Sequence, residues 1–175
     1  MTLNDFFISL ISGIISGVIA SGIFFYFIST LRPNLQISHT ICKSEDDKGV
    51  FYGFKILNNS NFHVLDLRVE VILMSPFNSN GGTNNAMEWI KLRRDHILLF
   101  PRYRKKDDKA AYALIVATRD NLEEIWNNDA QFLVIKVHGK QSFSGMSRSF
   151  EQKYYTKKSC IKNGLFNFGK TFVVS

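Results

Sequence analysis

The chain opens with a long apolar stretch that has no charged side chain between Asp5 and Arg32. Residues 6–31 give 26 uncharged positions. As a helix they would extend for about 39 Å, against a hydrocarbon core of about 30 Å. A cleaved signal peptide is the alternative, but this leader lacks Lys and Arg, and its apolar stretch exceeds the usual ~7–15 residues. The pattern predicts a transmembrane anchor at residues 1–32 and a separate domain at residues 33–175.

Beyond the anchor, apolar and polar positions alternate, which is the pattern of half-buried β-strands. The clearest strand has Leu65, Leu67, Val69, Val71 and Leu73 on one side and Arg68 and Glu70 on the other. Other strands are predicted at residues 35–41, 50–57, 89–92, 97–100, 111–117, 132–137, 147–155 and 170–174, with turns or loops at 44–49, 75–85 and 159–164 and one short helix at 121–126. Short strands with turn signals about every ten residues indicate an all-β fold, an antiparallel sandwich or barrel.

Small side chains recur at four-residue steps within the anchor: Ser9, Gly13, Gly17 and Ser21. This spacing places them along one face of a helix, where another backbone can approach closely. The stripe predicts that the anchor self-associates. In the alternative interpretation, Gly and Ser are simply common in membrane helices and mark no contact.

The distribution of charged residues predicts how the anchor is oriented in the membrane and which partners the soluble part attracts. The chain has 22 Lys+Arg and 15 Asp+Glu, and because only Asp5 of these precedes Arg32, the soluble part has a formal charge of +8. Arg32, Lys43 and Lys48 follow the anchor while no basic residue precedes it, which favours a cytoplasmic domain. The two cysteines form no paired framework, in agreement with a reducing compartment.

The basic residues fall into three groups. They are a first cluster of Lys91, Arg93 and Arg94, a second cluster of Arg102, Arg104, Lys105 and Lys106, and a third cluster of Lys153, Lys157 and Lys158. Such clusters can attract anionic membrane lipid, or a nucleotide or RNA phosphate. The alternative is a solvated charged surface, which the neighbouring Asp107 and Asp108 favour for the second cluster.

Several short segments of the chain resemble a known family. Residues 28–38, with the Arg32-Pro33 step, and residues 54–59 and 64–70 resemble the inner-helix exit and first strands of inward-rectifier potassium channels. Residues 133–139, Tyr154, Ile161 and residues 163–166 are similar to the end of that family's cytoplasmic immunoglobulin-like domain. The outer helix, pore helix and carbonyl-lined filter have no counterpart here. The resemblance implies an immunoglobulin-like sandwich below one membrane helix, assembled as a tetramer.

The sequence shows no cluster of catalytic or metal-binding residues. The histidines at positions 39, 63, 96 and 138 are never within one helical turn of each other, and His39 falls on the apolar side of its predicted strand, as a core or rim residue. Neither a phosphate-binding loop nor a G-x-S-x-G elbow is complete. We therefore expect no catalytic residues, no metal and no cofactor, although a fold can bring distant residues together.

These features predict a non-enzymatic, self-associating membrane protein whose cytoplasmic sandwich receives a signal from a nucleotide or protein partner and transmits it to the helix bundle. By analogy of architecture, this layout suits a membrane-perturbing antiviral defence effector, a single-pass protein of the bacterial inner membrane. The alternative is a static membrane-tethered adaptor that docks a cytoplasmic protein or nucleic acid without forming a pore. An anchored enzyme is a third possibility.

Overall fold

The N-terminal segment forms one continuous helix. The computed structural model describes residues 3–175, without the side chains of residues 3, 5 and 6. Helix α1 spans Leu3–Thr30. Its segment Phe7–Thr30 is long and apolar enough to cross a membrane, and none of its most apolar window is buried inside the structure. A core helix of a soluble domain would be mostly buried, so this helix is built to contact something outside the chain.

Most of the remaining described chain is β-structure. Its elements, in order, are β1 Leu35–Ile37, β2 Ile41–Asp46, β3 Gly49–Asn58, β4 Val64–Ser79, β5 Gly82–Ile90, β6 His96–Phe100, β7 Ala113–Thr118, α2 Leu122–Ile125, β8 Phe132–Gln141, β9 Ser147–Tyr154, α3 Lys157–Cys160 and β10 Ile161–Asn163. These bounds confirm a mainly β domain that follows one apolar helix.

The strands form two sheets. In the first sheet, β3 pairs with β7 along one edge and with β1 and β2 along the other, and β10 lies beyond β2. In the second sheet, β4 pairs with β8 on one side and with β5 and β6 on the other, and β9 lies beyond β8. Every pair is antiparallel except β10 with β2. The arrangement is sandwich-like.

The core lies between the sheets. Phe54 and Ile56 of the first sheet and Val69, Val71 and Ile135 of the second are all buried in one cluster. Side chains alternate along a strand, so the residues between them on β4 and β8 point away from the core.

This alternation confirms the predicted inward face of β4 from Leu67 to Leu73. The prediction that Leu65 also faces inward is wrong, because an irregularity between Leu65 and Arg68 shifts the register and places Val64 in the core instead.

The C-terminal residues 164–175 cover the outer face of the first sheet. Lys55 points outward from β3 yet is only 2% exposed. Its ammonium group donates to the carbonyl oxygens of Asn167, at 2.6 Å, and Thr171, at 2.7 Å. Burial lowers the pKa of Lys55. Leu57, two residues along the strand, packs in a second small cluster that includes Phe172.

Five other local predictions are wrong. The turn predicted at residues 44–49 is confined to Asp47 and Lys48, since β2 runs to Asp46 and β3 begins at Gly49, and the turn predicted at residues 159–164 contains β10. Residues 75–85 are not a loop, because β4 continues to Ser79 and pairs with β5 across Asn80 and Gly81. The strand predicted at residues 170–174 is reduced to one bridge between Phe166 and Val174. His39 is exposed, since the chain leaves the strand after Ile37.

Candidate functional site

The helix joins the sandwich through a hydrogen-bonded end. Only four residues separate α1 from β1. The hydroxyl of Ser144, in the turn between β8 and β9, donates to the carbonyl oxygen of Leu31 at the helix exit. The backbone N–H of Asn34 donates to the Ser60 hydroxyl at 2.8 Å, in the loop between β3 and β4. These contacts tie the helix exit to both sheets.

The second basic cluster lies at this helix end of the sandwich. The backbone N–H of Tyr103 donates to the Ser60 carbonyl, and that of Arg102 donates to His63. The cluster's four cations, Arg102, Arg104, Lys105 and Lys106, are exposed. Among the described residues they have no carboxylate within ion-pair distance. They therefore remain free to bind an external anion.

An aromatic pair stands beside the helix exit. The rings of Phe62 and Phe143 stack with their centroids 5.5 Å apart. Phe143 follows Ser142, whose N–H donates to the carbonyl of His63, so the pair belongs to the helix end as well. Phe143 is 63% exposed. An exposed ring therefore lies at the same end of the sandwich as the unpaired cations of the second cluster.

The other two clusters lie elsewhere, and part of their charge is engaged within the chain. In the first cluster, Arg93 lies 4.0 Å from a carboxylate oxygen of Asp46. In the third, Lys153 pairs with Glu151 at 3.2 Å. Lys157 donates to the carbonyls of Glu123 and Trp126 and so stabilises the end of α2. The structure does not bring the three clusters into one site, and Lys91, Arg94 and Lys158 stay exposed on separate surfaces.

The outer face of the second sheet is crossed by transverse rows of directly paired residues. The row nearest the helix end is Leu99–Leu65–Lys140–Ser147. Four rows follow outward: His96–Arg68–His138–Ser149, Glu70–Lys136–Glu151, Trp89–Ile72–Val134–Lys153 and Met87–Met74–Phe132. The alternation of residues along β4 predicts Arg68 and Glu70 on this face, but no motif in the sequence marks the face as a site.

A groove of about 640 Å³ follows the two polar rows. His138 Nδ1 and Ser149 Oγ lie 3.0 Å apart, and His96 Nε2 lies 2.6 Å from Asp66, beside Arg68. The hydrogen bond from His96 holds the pKa of Asp66 below its ordinary value. No carboxylate accepts from the other nitrogen of His138 among the described residues, so the Ser149–His138 pair lacks the third member of a catalytic triad.

The outer half of this face is apolar. Ile72 and Val134 are 2% and 1% exposed although they point away from the core. Trp89 and Met87, on β5, are 64% and 50% exposed. Two large apolar side chains are therefore exposed beside the charged groove.

The predicted stripe on α1 presents open space. Nothing lies within 4 Å of a Cβ built at Gly13 or Gly17. The Ser12 and Ser16 hydroxyls donate to the Ser9 and Gly13 carbonyls, which satisfies them within the helix. The stripe, including Ser21, is therefore free to contact a helix outside the chain.

No protein-family model matches the chain, and no curated protein matches it. Within the described residues, no three His, Cys, Asp or Glu side chains are grouped so that they could hold a metal ion.

Proposed function

We propose that the chain is a non-enzymatic, self-associating membrane protein. Its cytoplasmic sandwich senses a ligand or a partner protein and acts through a bundle of α1 helices. In this proposal the sandwich is immunoglobulin-like and the assembly is a tetramer, as the resemblance to inward-rectifier channels implies. The protein is a single-pass resident of the bacterial inner membrane, where it acts as a membrane-perturbing defence effector.

The observation that carries this proposal is the junction between helix and sandwich. A signal received by the sandwich can reach the helix only if the two do not move independently. The link from α1 to β1 is four residues long, and Leu31 is hydrogen-bonded to Ser144 of a sandwich turn. A change in how neighbouring sandwiches pack would therefore turn or tilt their helices.

Anionic lipid is the partner that fits the second cluster. Because the linker is short, the helix end of the sandwich must lie near the lipid headgroups when α1 spans the bilayer. Each basic residue near an anionic surface gains about 1 kcal/mol. The four unpaired cations and the exposed Phe143 would then fix the sandwich against the membrane.

A dye-entry assay tests the effector function. Cells that express the wild-type chain should admit a membrane-impermeant dye, and the double variant Gly13→Leu, Gly17→Leu should not, because the larger side chains separate the helices. Ile14→Phe, on a lipid-facing side, is the matched control and should behave as wild type. If cells that express the wild-type chain exclude the dye under every stimulus tried, the effector function is refuted.

The static adaptor remains a second candidate because the outer face of the second sheet is uncovered and carries Trp89 and Met87. An adaptor would assemble and bind its partner without dye entry. A cytoplasmic reporter fused after Ser175 tests the topology common to both functions, and it should be active. Activity only of a periplasmic reporter would refute both functions.

A further inference from the structure

We propose that the outer face of the second sheet is a two-fold interface between two copies of this chain. The inference rests on the membrane anchoring in the proposed function. Two copies that enter the membrane in the same orientation are related by an axis along the membrane normal. Strands β4, β8 and β9 run between the helix end of the sandwich and its far end, so they lie roughly along that axis.

The charge of this face fits a second copy better than it fits an anion. The soluble part carries +8 overall. On this face the cations Arg68, Lys136, Lys140 and Lys153 are nearly balanced by Asp66, Glu70 and Glu151, which leaves one net positive charge. A polyanionic ligand would meet three carboxylates here, whereas a second copy of the same face can pair each carboxylate with a cation.

The register of the rows selects the position of the axis. If the two-fold axis runs between β4 and β8, each row lies opposite the same row of the second copy. Strand β4 then faces β8 of the second copy, and β5 faces β9 of the second copy. Glu70 then faces Lys136 of the second copy, and the reverse contact forms as well. Neither side chain has an ion-pair partner within its own chain among the described residues.

The same axis also covers the exposed ring of Trp89, which faces Lys153 of the second copy, where a cation–π contact can form. Ile72 and Val134 lie beneath this contact and are already buried within one chain. An axis over β8 would instead set Glu70 against Glu151 of the second copy, and Lys136 against its own equivalent. Like charges at both positions exclude that arrangement.

The area of the proposed interface is of the order that protein–protein interfaces require. Four strands at about 4.8 Å spacing and four rows at about 6.8 Å cover about 520 Å² per copy, which is about two thirds of the ~800 Å² of a standard interface. Anchoring in one membrane raises the effective concentration of the copies, so a weaker contact suffices.

Disulfide crosslinking in isolated membranes tests the interface. The full chain carries Trp89→Cys and Lys153→Cys, with the half-buried Cys160 replaced by serine and the buried Cys42 retained. Within one chain the two new cysteines are three strand spacings apart, about 14 Å, which exceeds the ~7 Å limit for a bridge. Oxidation should therefore produce a dimer from the doubly substituted chain, and also from a mixture of the two single variants.

Each single variant alone should stay monomeric on a denaturing gel, since position 89 faces position 153 and not itself. A dimer from a single variant, or none from the pair in membrane-bound protein, overturns the inference. Protein found outside the membrane fraction would instead refute the anchoring on which the proposed function rests.

A charge exchange provides the second test. Glu70→Lys should lower the yield of the 89–153 crosslink at least several-fold, because the substituted position 70 would then place a second ammonium group against Lys136 of the second copy. Adding Lys136→Glu should restore the yield. If Glu70→Lys leaves the yield unchanged in folded protein, the proposed register is wrong.

Discussion

Lys55 offers a quantitative test of how the C-terminal segment is held on the sandwich. Lys55→Met keeps most of the buried stem but removes the ammonium group and its hydrogen bonds to the carbonyls of Asn167 and Thr171. No carboxylate pairs with Lys55 among the described residues. Its only strong contacts are therefore those that dock the segment.

Two opposing effects set the magnitude. A hydrogen bond to a charged group contributes about 1.5–3 kcal/mol, so the pair contributes about 3–6 kcal/mol to docking. Part of this loss is offset, because Lys55→Met also removes the free-energy cost of burying a charged ammonium group away from water. If half is offset, docking weakens by about 2 kcal/mol, which corresponds to about a 30-fold increase in opening.

Hydrogen exchange measures this opening directly. The amides of Leu165, Asn167 and Ser175 are bonded within the segment and should exchange about 30-fold faster in Lys55→Met. Amides of the central strands should be unchanged, and so should all amides in Lys162→Met, which removes an exposed lysine. If the segment exchanges at the wild-type rate in Lys55→Met, the ammonium group of Lys55 does not hold the segment in place.

Three further predictions concern the sandwich. Val69→Asp should prevent folding at a cost of several kcal/mol, while Glu70→Lys on the opposite face should keep the wild-type circular dichroism spectrum. Gly139→Ala should lower the unfolding free energy by about 1–3 kcal/mol in urea titration, because its Cβ would stand 2.5 Å from a valine methyl group. The hydrogen bond from Arg119 lowers the pKa of Asp46 from its ordinary 3.8. The stabilisation from the Arg119–Asp46 interaction is present above pH 3.8 and is lost as the pH falls through the lower pKa of the folded state. Asp46→Asn should therefore flatten the acid limb of the plot of Tm against pH.

The local signals in the sequence were sufficient for most strands but not for pairing partners. Alternation located β4 and its inward face because the core buries every second residue there. The hairpin after Met74 was missed since Pro76 and several asparagines disfavour strands, yet Asn80-Gly81 is a strong two-residue hairpin signal. Residue Pro76 is tolerated because β4 pairs there with β5 alone.

The site was less predictable for a physical reason. The rows on the second sheet join residues more than sixty positions apart, such as Glu70 and Lys136, and the register that aligns them is set by tertiary packing. Similarly, nothing in the sequence near Lys55 indicates that residues 164–175 return to cover it. The basic clusters were visible in the sequence, but only the fold shows that the second lies at the helix end.

The two proposed contacts, the outer face of the second sheet and the stripe on α1, differ in the size of the oligomer that each can form. This difference can be tested. A two-fold face joins copies only in pairs, so an assembly larger than a dimer needs a second contact, which the stripe on α1 would supply. Gly13→Leu with Gly17→Leu should then reduce a tetramer to a dimer in native mass measurements and leave the 89–153 crosslink intact. Glu70→Lys should weaken the crosslink but leave helix association in place. If the helix variant abolishes the crosslink in membrane-bound protein, the sheet face has no affinity of its own, and the helices alone hold the assembly together.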